Sequence, residues 1–168
     1  MKKTIIIGLG NPILTDDSVG IKVVRLLKDR LSSLNGSNGL NCSVDVIELY
    51  AGGIRLIDVL AGYDRALIVD AMVTGDHDYG TVRFFAESEL RNTRNTISMH
   101  DIDLPTALEM GRMLGIKMPW DITVLGIEAK DVETFSEDLT AEVAKAVPAA
   151  VAKIINDLSN NLPVRGQL

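Results

Sequence analysis

Lys3-Thr4-Ile5-Ile6-Ile7-Gly8-Leu9-Gly10 is the stretch from which the rest of the chain can be read. The β-branched run over residues 3–7, closed by glycine, reads as a short buried strand. A helical pattern follows over residues 18–31, where Val19, Val23, Leu27 and Leu31 recur with Lys22, Arg25 and Asp29 between them. Strand, glycine turn and helix together open a βαβ unit, and the chain goes on alternating.

Residues 32–41 are rich in Ser, Asn and Gly and predict a loop. Ser43–Leu49 predicts a second strand, with Val44 and Val46 alternating against polar neighbours. A short helix is expected over residues 53–60, with Ile54, Ile57 and Leu60 on one side. Arg65–Met72 carries Ala66-Leu67-Ile68-Val69, a strand apolar on both faces as in a covered parallel sheet. An edge strand is expected over residues 81–85, a helix over 101–114 with Leu104, Leu108 and Gly111 on one stripe, and a strand over 121–127. Residues 140–158 predict a long helix with Val143, Val147, Val151, Ile154 and Leu158 inward, and Pro148 should kink it or begin a second segment. A loose tail is expected from Asn160. The expected fold is α/β: a single three-layer domain over residues 1–168, with a twisted, mostly parallel sheet of about five strands and helices on both faces.

Composition narrows the function. Hydrophobic residues make up 46% of the 168, enough to bury a core without staples. The 17 Lys and Arg against 23 Asp and Glu give a formal net charge of −6. Basic residues form no run, so neither nucleic acid nor a membrane surface is the expected partner. Cys42 is the only cysteine, which excludes an internal disulfide and a thiolate metal cage and suits a reducing cytoplasm. Lys2 and Lys3 before Ile5-Ile6-Ile7 imitate a signal peptide, but Gly8, Gly10, Asn11 and Pro12 break the apolar run too early. No apolar stretch is long enough for a membrane span.

Gly8-Leu9-Gly10 could open a dinucleotide fingerprint, yet Ile13 stands where its third glycine belongs and Pro12 removes a backbone donor. No phosphate-loop Lys-Ser/Thr pair follows. The glycines read better as a tight turn that lets the backbone pass close to something else. Beyond them, Thr15 or Asp16 is expected to cap the helix, leaving Asp17 to point elsewhere. Asp70 ends the apolar run of the third strand, where parallel sheets bind ligands. If the first and third strands are neighbours, Asp17 and Asp70 face one crevice. Of two histidines, His77 lies in a polar loop and reads as solvated, whereas His100 precedes a helix. Two carboxylates and one imidazole would form an N,O set with open positions, suited to nickel or zinc.

Gly8-Leu9-Gly10-Asn11 with Asp16-Asp17 and Gly20, then Ile68-Val69-Asp70-Ala71, then Ile97-Ser98-Met99-His100, resemble in order and spacing the three motifs of the hydrogenase maturation endopeptidases. The resemblance runs over nearly the whole chain; Ser18 and Ala129 stand where glycine and proline are common. It implies an endopeptidase that removes the C-terminal extension of a nickel–iron hydrogenase large-subunit precursor after nickel insertion. It also implies Asp17, Asp70 and His100 as both the catalytic and the metal-contacting residues. The nickel would come with the substrate and not be permanently bound, with zinc or cadmium as substitutes in crystals. A monomer is the expected state. Three alternatives remain open: a non-catalytic nickel-binding maturation chaperone on the same scaffold, a metal-independent hydrolase using Asp16 and Asp17 as a dyad, and a nucleotide-binding protein. No Gly-x-Ser-x-Gly motif offers a serine nucleophile.

Overall fold

The alternation of side chains along each strand decides the layers. The computed structural model describes residues 2–34, 43–50, 52–90 and 104–161. Strand β1 (Lys3–Leu9) leads through a 3-10 turn (Asp16–Ser18) into helix α1 (Val19–Leu34), strand β2 (Ser43–Leu49), helix α2 (Arg55–Leu60) and strand β3 (Arg65–Met72). The second half holds β4 (Val82–Ala86), one helical turn α3 (Glu87–Leu90), α4 (Leu104–Met113), β5 (Asp121–Glu128) and α5 (Ala141–Asn161). The sheet order is β2-β1-β3-β5-β4. Every pairing is parallel except β4 with β5, so the antiparallel strand closes one edge.

On one face Ile6, Leu67, Val69, Ala71, Leu125 and Ile127 pack against α1 and α5. On the other, Ile5, Ile7, Ile68, Met72 and Val124 pack against α2 and α4. Each fully buried isoleucine of β1 contributes about 1.5–3 kcal/mol of transfer free energy. The same run therefore has to be covered on both sides, and the three-layer α/β sandwich expected from the sequence follows.

The chain leaves β1 for β2 on one side and returns to β3 on the other. Loops beyond the carboxyl ends of β1 and β3 consequently diverge, and such a switch point is where doubly wound sheets bind ligands.

The 3-10 turn and α3 were not expected, and α1 runs on to Leu34 and α5 to Asn161 where a loop and a loose tail were expected. Three further details differ from the sequence reading. β1 runs through Gly8 to Leu9, because Gly8 pairs with Glu48 on one side and Val69 on the other. Ile54 is 59% exposed, since α2 starts at Arg55, two residues later than expected, and Leu56 takes the inward place. Pro148 neither ends nor divides α5. It lies on the solvent face together with Ala144, so water can bond the carbonyl that the missing N–H would have served. Among the described residues no helix is long and apolar enough to cross a membrane.

Candidate active site

Gly8 and Gly20 meet back to back. A Cβ on Gly8 would strike the Gly20 carbonyl, and one on Gly20 would strike the carbonyl oxygens of Val69 and Leu9. The backbone of α1 thus sits directly on the ends of β1 and β3. Gly10, at φ +142°, lies against the Asp17 carbonyl, a position closed to any side chain. The expectation that the glycines admit a close neighbour is met, and the neighbour is the start of α1.

Asp17 is half-buried in the 3-10 turn ahead of α1. Its Oδ2 accepts the Asn11 N–H at 2.8 Å. Asn11 shapes the turn that brings its own amide there: its Oδ1 accepts from Ile13 N at 3.2 Å and its carbonyl from Leu14 N at 3.2 Å. Asp17 also stands at the positive end of a helical segment, where a carboxylate is favoured.

Asp70 is fully buried, and its Oδ1 accepts the Ala71 N–H at 2.8 Å. It falls between Ile68 and Met72 on the face covered by α2 and α4. β1 and β3 are neighbours, with Gly8 paired to Val69, so Asp17 and Asp70 come to the same end of the sheet. The 3-10 turn that carries Asp17 packs against β3.

His100 lies outside the described residues, as does Cys42. His77 is half-buried against the Arg83 guanidinium and so is not simply solvated. Among the described residues no three His, Cys, Asp or Glu side chains form a group that could hold a metal.

Neither Thr15 nor Asp16 caps the helix. The Thr15 hydroxyl donates to the Thr134 carbonyl at 2.6 Å, and no side-chain cap bond forms. Asp16 is fully buried, and its carboxylate accepts from Lys130 N (2.9 Å), Asp131 N (3.0 Å), Thr140 N (2.8 Å) and Thr140 Oγ1 (2.9 Å). This role was not legible beforehand, because all its partners lie more than a hundred residues away: |i−j| is 114 to 124.

Glu128 is a third buried carboxylate, and one that sequence reasoning passed over. It accepts from Thr74 N (2.8 Å), Gly75 N (2.9 Å) and Thr74 Oγ1 (2.7 Å), and so holds the loop after β3. The signal was present: like Asp70, it is a carboxylate at the end of an apolar strand. Beside it, Asp131 is held below the usual carboxyl range by the Thr134 hydroxyl first, then by the amides of Thr134 and Glu133. The Lys130 ammonium is held above its usual range, chiefly by its hydrogen bond to Glu142 at 2.8 Å.

Known proteins carry the same fold and related sequences. The chain is 25% identical over 154 residues to the hydrogenase 2 maturation protease of Escherichia coli K12, covering 91% of this chain and 88% of that protein. It is 22% identical over 158 residues to the hydrogenase expression/formation protein HupD of Rhizobium leguminosarum, covering 93% and 74%. Among solved structures, the hydrogenase maturating endopeptidase HybD of E. coli superposes with a TM-score of 0.77 at 24% identity, covering 94% and 93% of the two chains. The [NiFe] hydrogenase maturation protease HybD of Thermococcus kodakarensis superposes at 0.64 with 25% identity, covering 93% and 98%. With a family model matched across residues 21–157, this chain belongs to the hydrogenase maturation protease family, hydrolases that process hydrogenase precursors.

Proposed function

We propose that the protein is an endopeptidase that removes the C-terminal extension of a nickel–iron hydrogenase large-subunit precursor once nickel has been inserted. In this reading the substrate's nickel is the recognition element, gripped by Asp17, Asp70 and His100. The observation that supports it is that Asp17 and Asp70 both lie at or beyond the carboxyl ends of adjacent parallel strands, where such sheets bind ligands. His100 joins them by the motif it shares with the family. In its support, α4, the helix that follows it in sequence, covers the sheet face on which Asp70 lies.

Two carboxylates and one imidazole make an incomplete donor set, which leaves positions for ligands that the substrate brings with its ion. Nickel is therefore cargo of the precursor. Water attacks the scissile carbonyl while its proton passes to a base, and the proton ends on the amine of the departing extension. The half-buried Asp17 is open enough to take that proton as general base. The substrate's metal acting on the water is the other route. The whole chain acts as one domain, because α5 folds back against strands from both halves. We place it in the cytoplasm as a monomer, in keeping with its lone cysteine and its net charge of −6.

The experiment is incubation with nickel-loaded and nickel-free precursor, followed by mass spectrometry of both. Shortening of the loaded precursor alone is expected. Equal cleavage of the two would remove the metal-sensing claim, and tight binding with no shortened product would leave a chaperone.

A further inference from the structure

We propose that Asp16 is a positioning residue for precursor cleavage, its buried carboxylate clamping residues 130–140 onto the loop before α1 and so setting where Asp17 stands. This rests on Asp17 acting at the site, as proposed above.

The two neighbouring acids divide into opposite tasks. Asp16 is fully buried and Asp17 half-buried. The Asp16 carboxylate gathers both ends of one loop. Lys130 and Asp131 donate to Oδ2 from its start, while Thr140 donates its N–H to Oδ1 and its hydroxyl to Oδ2 from its end. An ionised carboxylate only accepts, and here four donors converge on it, one of them a hydroxyl that could have turned elsewhere.

The backbone carries the clamp to the turn. Asp16 N donates to the Asp131 carbonyl at 2.9 Å, Thr15 N to Thr134 at 3.1 Å, and Ser136 N to Ile13 at 3.0 Å. On the other side, Gly10 bears on the Asp17 carbonyl, and Asn11 N holds Asp17 Oδ2. Asp17 is therefore held by two sets of contacts, those of Gly10 and Asn11 with Asp17 itself and those of Asp16 with residues 130–140. The 3-10 turn is only three residues long, Asp16–Ser18, and Asp17 is the direct neighbour of Asp16 in it, so a shift of Asp16 bears on Asp17 through one peptide bond. A group that acts on a reacting centre loses rate steeply when displaced by about 1 Å, on the order of a hundredfold.

Asp16→Asn keeps the size but puts an amide donor against amide donors. Thr140→Val removes only the hydroxyl bond, and Thr140→Ser restores it. Each is assayed for kcat and KM on the precursor, at a temperature where circular dichroism shows the variant folded. Leu158→Ala serves as a comparator, buried at the far end of α5 and away from the clamp. The expected result is a fall in kcat of about tenfold or more for Asp16→Asn. Thr140→Val should lose several-fold, Thr140→Ser should approach wild type, and Leu158→Ala should keep its kcat despite a lowered melting temperature. Full kcat in Asp16→Asn overturns the proposal. So does an equal loss in Leu158→Ala, which would make the effect one of stability alone. Should Asp16→Asn not fold, the Thr140→Val and Thr140→Ser pair decides, and equal rates in that pair overturn the proposal. If the wild type cleaves nickel-free precursor equally, the metal-sensing reading fails while these comparisons remain readable on that substrate. An Asp17→Ala variant with full activity removes the site reading and this inference with it.

Discussion

Replacing Gly20 by alanine probes the contact on which the site is built. The new methyl group would meet the Leu9 and Val69 carbonyl oxygens, with Leu9 N at 3.0 Å. These belong to the central strands β1 and β3, hydrogen-bonded on both sides, and cannot swing away. Overpacking costs about 1–3 kcal/mol, and rigid backbone places this case near the top of that range. Alanine recovers about 0.5–1 kcal/mol of helix propensity. The net loss is about 2 kcal/mol, which for a chain of 168 residues lowers the melting temperature by about 4–8 °C. The relief available is for α1 to lift from the strand ends, carrying Asp17 away from Asp70, so precursor processing should fall by about a hundredfold. Gly115→Ala is the control: Gly115 has φ +72° with open space around it, so only the left-handed backbone penalty of about 1–2 kcal/mol applies. It should process precursor normally. The assays are a thermal melt by circular dichroism and gel-shift processing of the precursor on both variants. A Gly20→Ala protein that melts with the wild type and cleaves at the wild-type rate would refute the claim that the α1 backbone rests on the strand ends.

Further expectations follow from the same geometry. Asp17→Ala removes the acceptor of the Asn11 N–H, so stability should drop by only about 1 kcal/mol while mass spectrometry finds no shortened precursor; normal processing would sink the assignment. Glu128→Ala strips the acceptor from two amides and a hydroxyl and should lower urea stability by about 2–3 kcal/mol, whereas an unchanged midpoint would deny the loop its anchor. Pro148→Ala restores a helical donor within α5 and should raise the melting temperature by an amount equivalent to about 1–3 kcal/mol; a lowered one would refute the claim that the proline costs the helix a bond. Glu48 is held below its ordinary 4.5, first by the hydrogen bond from Arg25, then by Tyr50 and by the charges of Arg25 and Lys28. A depressed carboxyl contributes stability above its unfolded value and loses it as pH falls through the folded one. Glu48→Gln should therefore be less stable than wild type at pH 7, with the gap narrowing as pH falls below 4.5. A gap that stays constant would disprove the ion-pair account.

Much of the fold was open to reading before any coordinates. β2 and β3 have the bounds that their patterns predict, and the inward stripe of α5 is the expected Val143, Val147, Val151, Ile154 and Leu158. Departures lie at element ends, as at Ile54, at Pro148, which faces solvent, and in the 3-10 turn and α3, which are too short to show a period. Asp70 was legible because a carboxylate closing an apolar strand is anomalous wherever it occurs. Glu128 bears the same mark and serves a loop instead.

Period and composition are local, so the sequence by itself determined the elements, their faces, the layered α/β class and three motifs of a family. Tertiary structure decided what adjacency along the chain could not. β1 lies beside β3, two glycines let a helix rest on strand ends, and of two successive acids Asp16 turns inward while Asp17 stays half-open. The physical reason is that a side chain's fate depends on its donors, and those of Asp16 arrive from residues 130–140, which only folding brings within 3.0 Å.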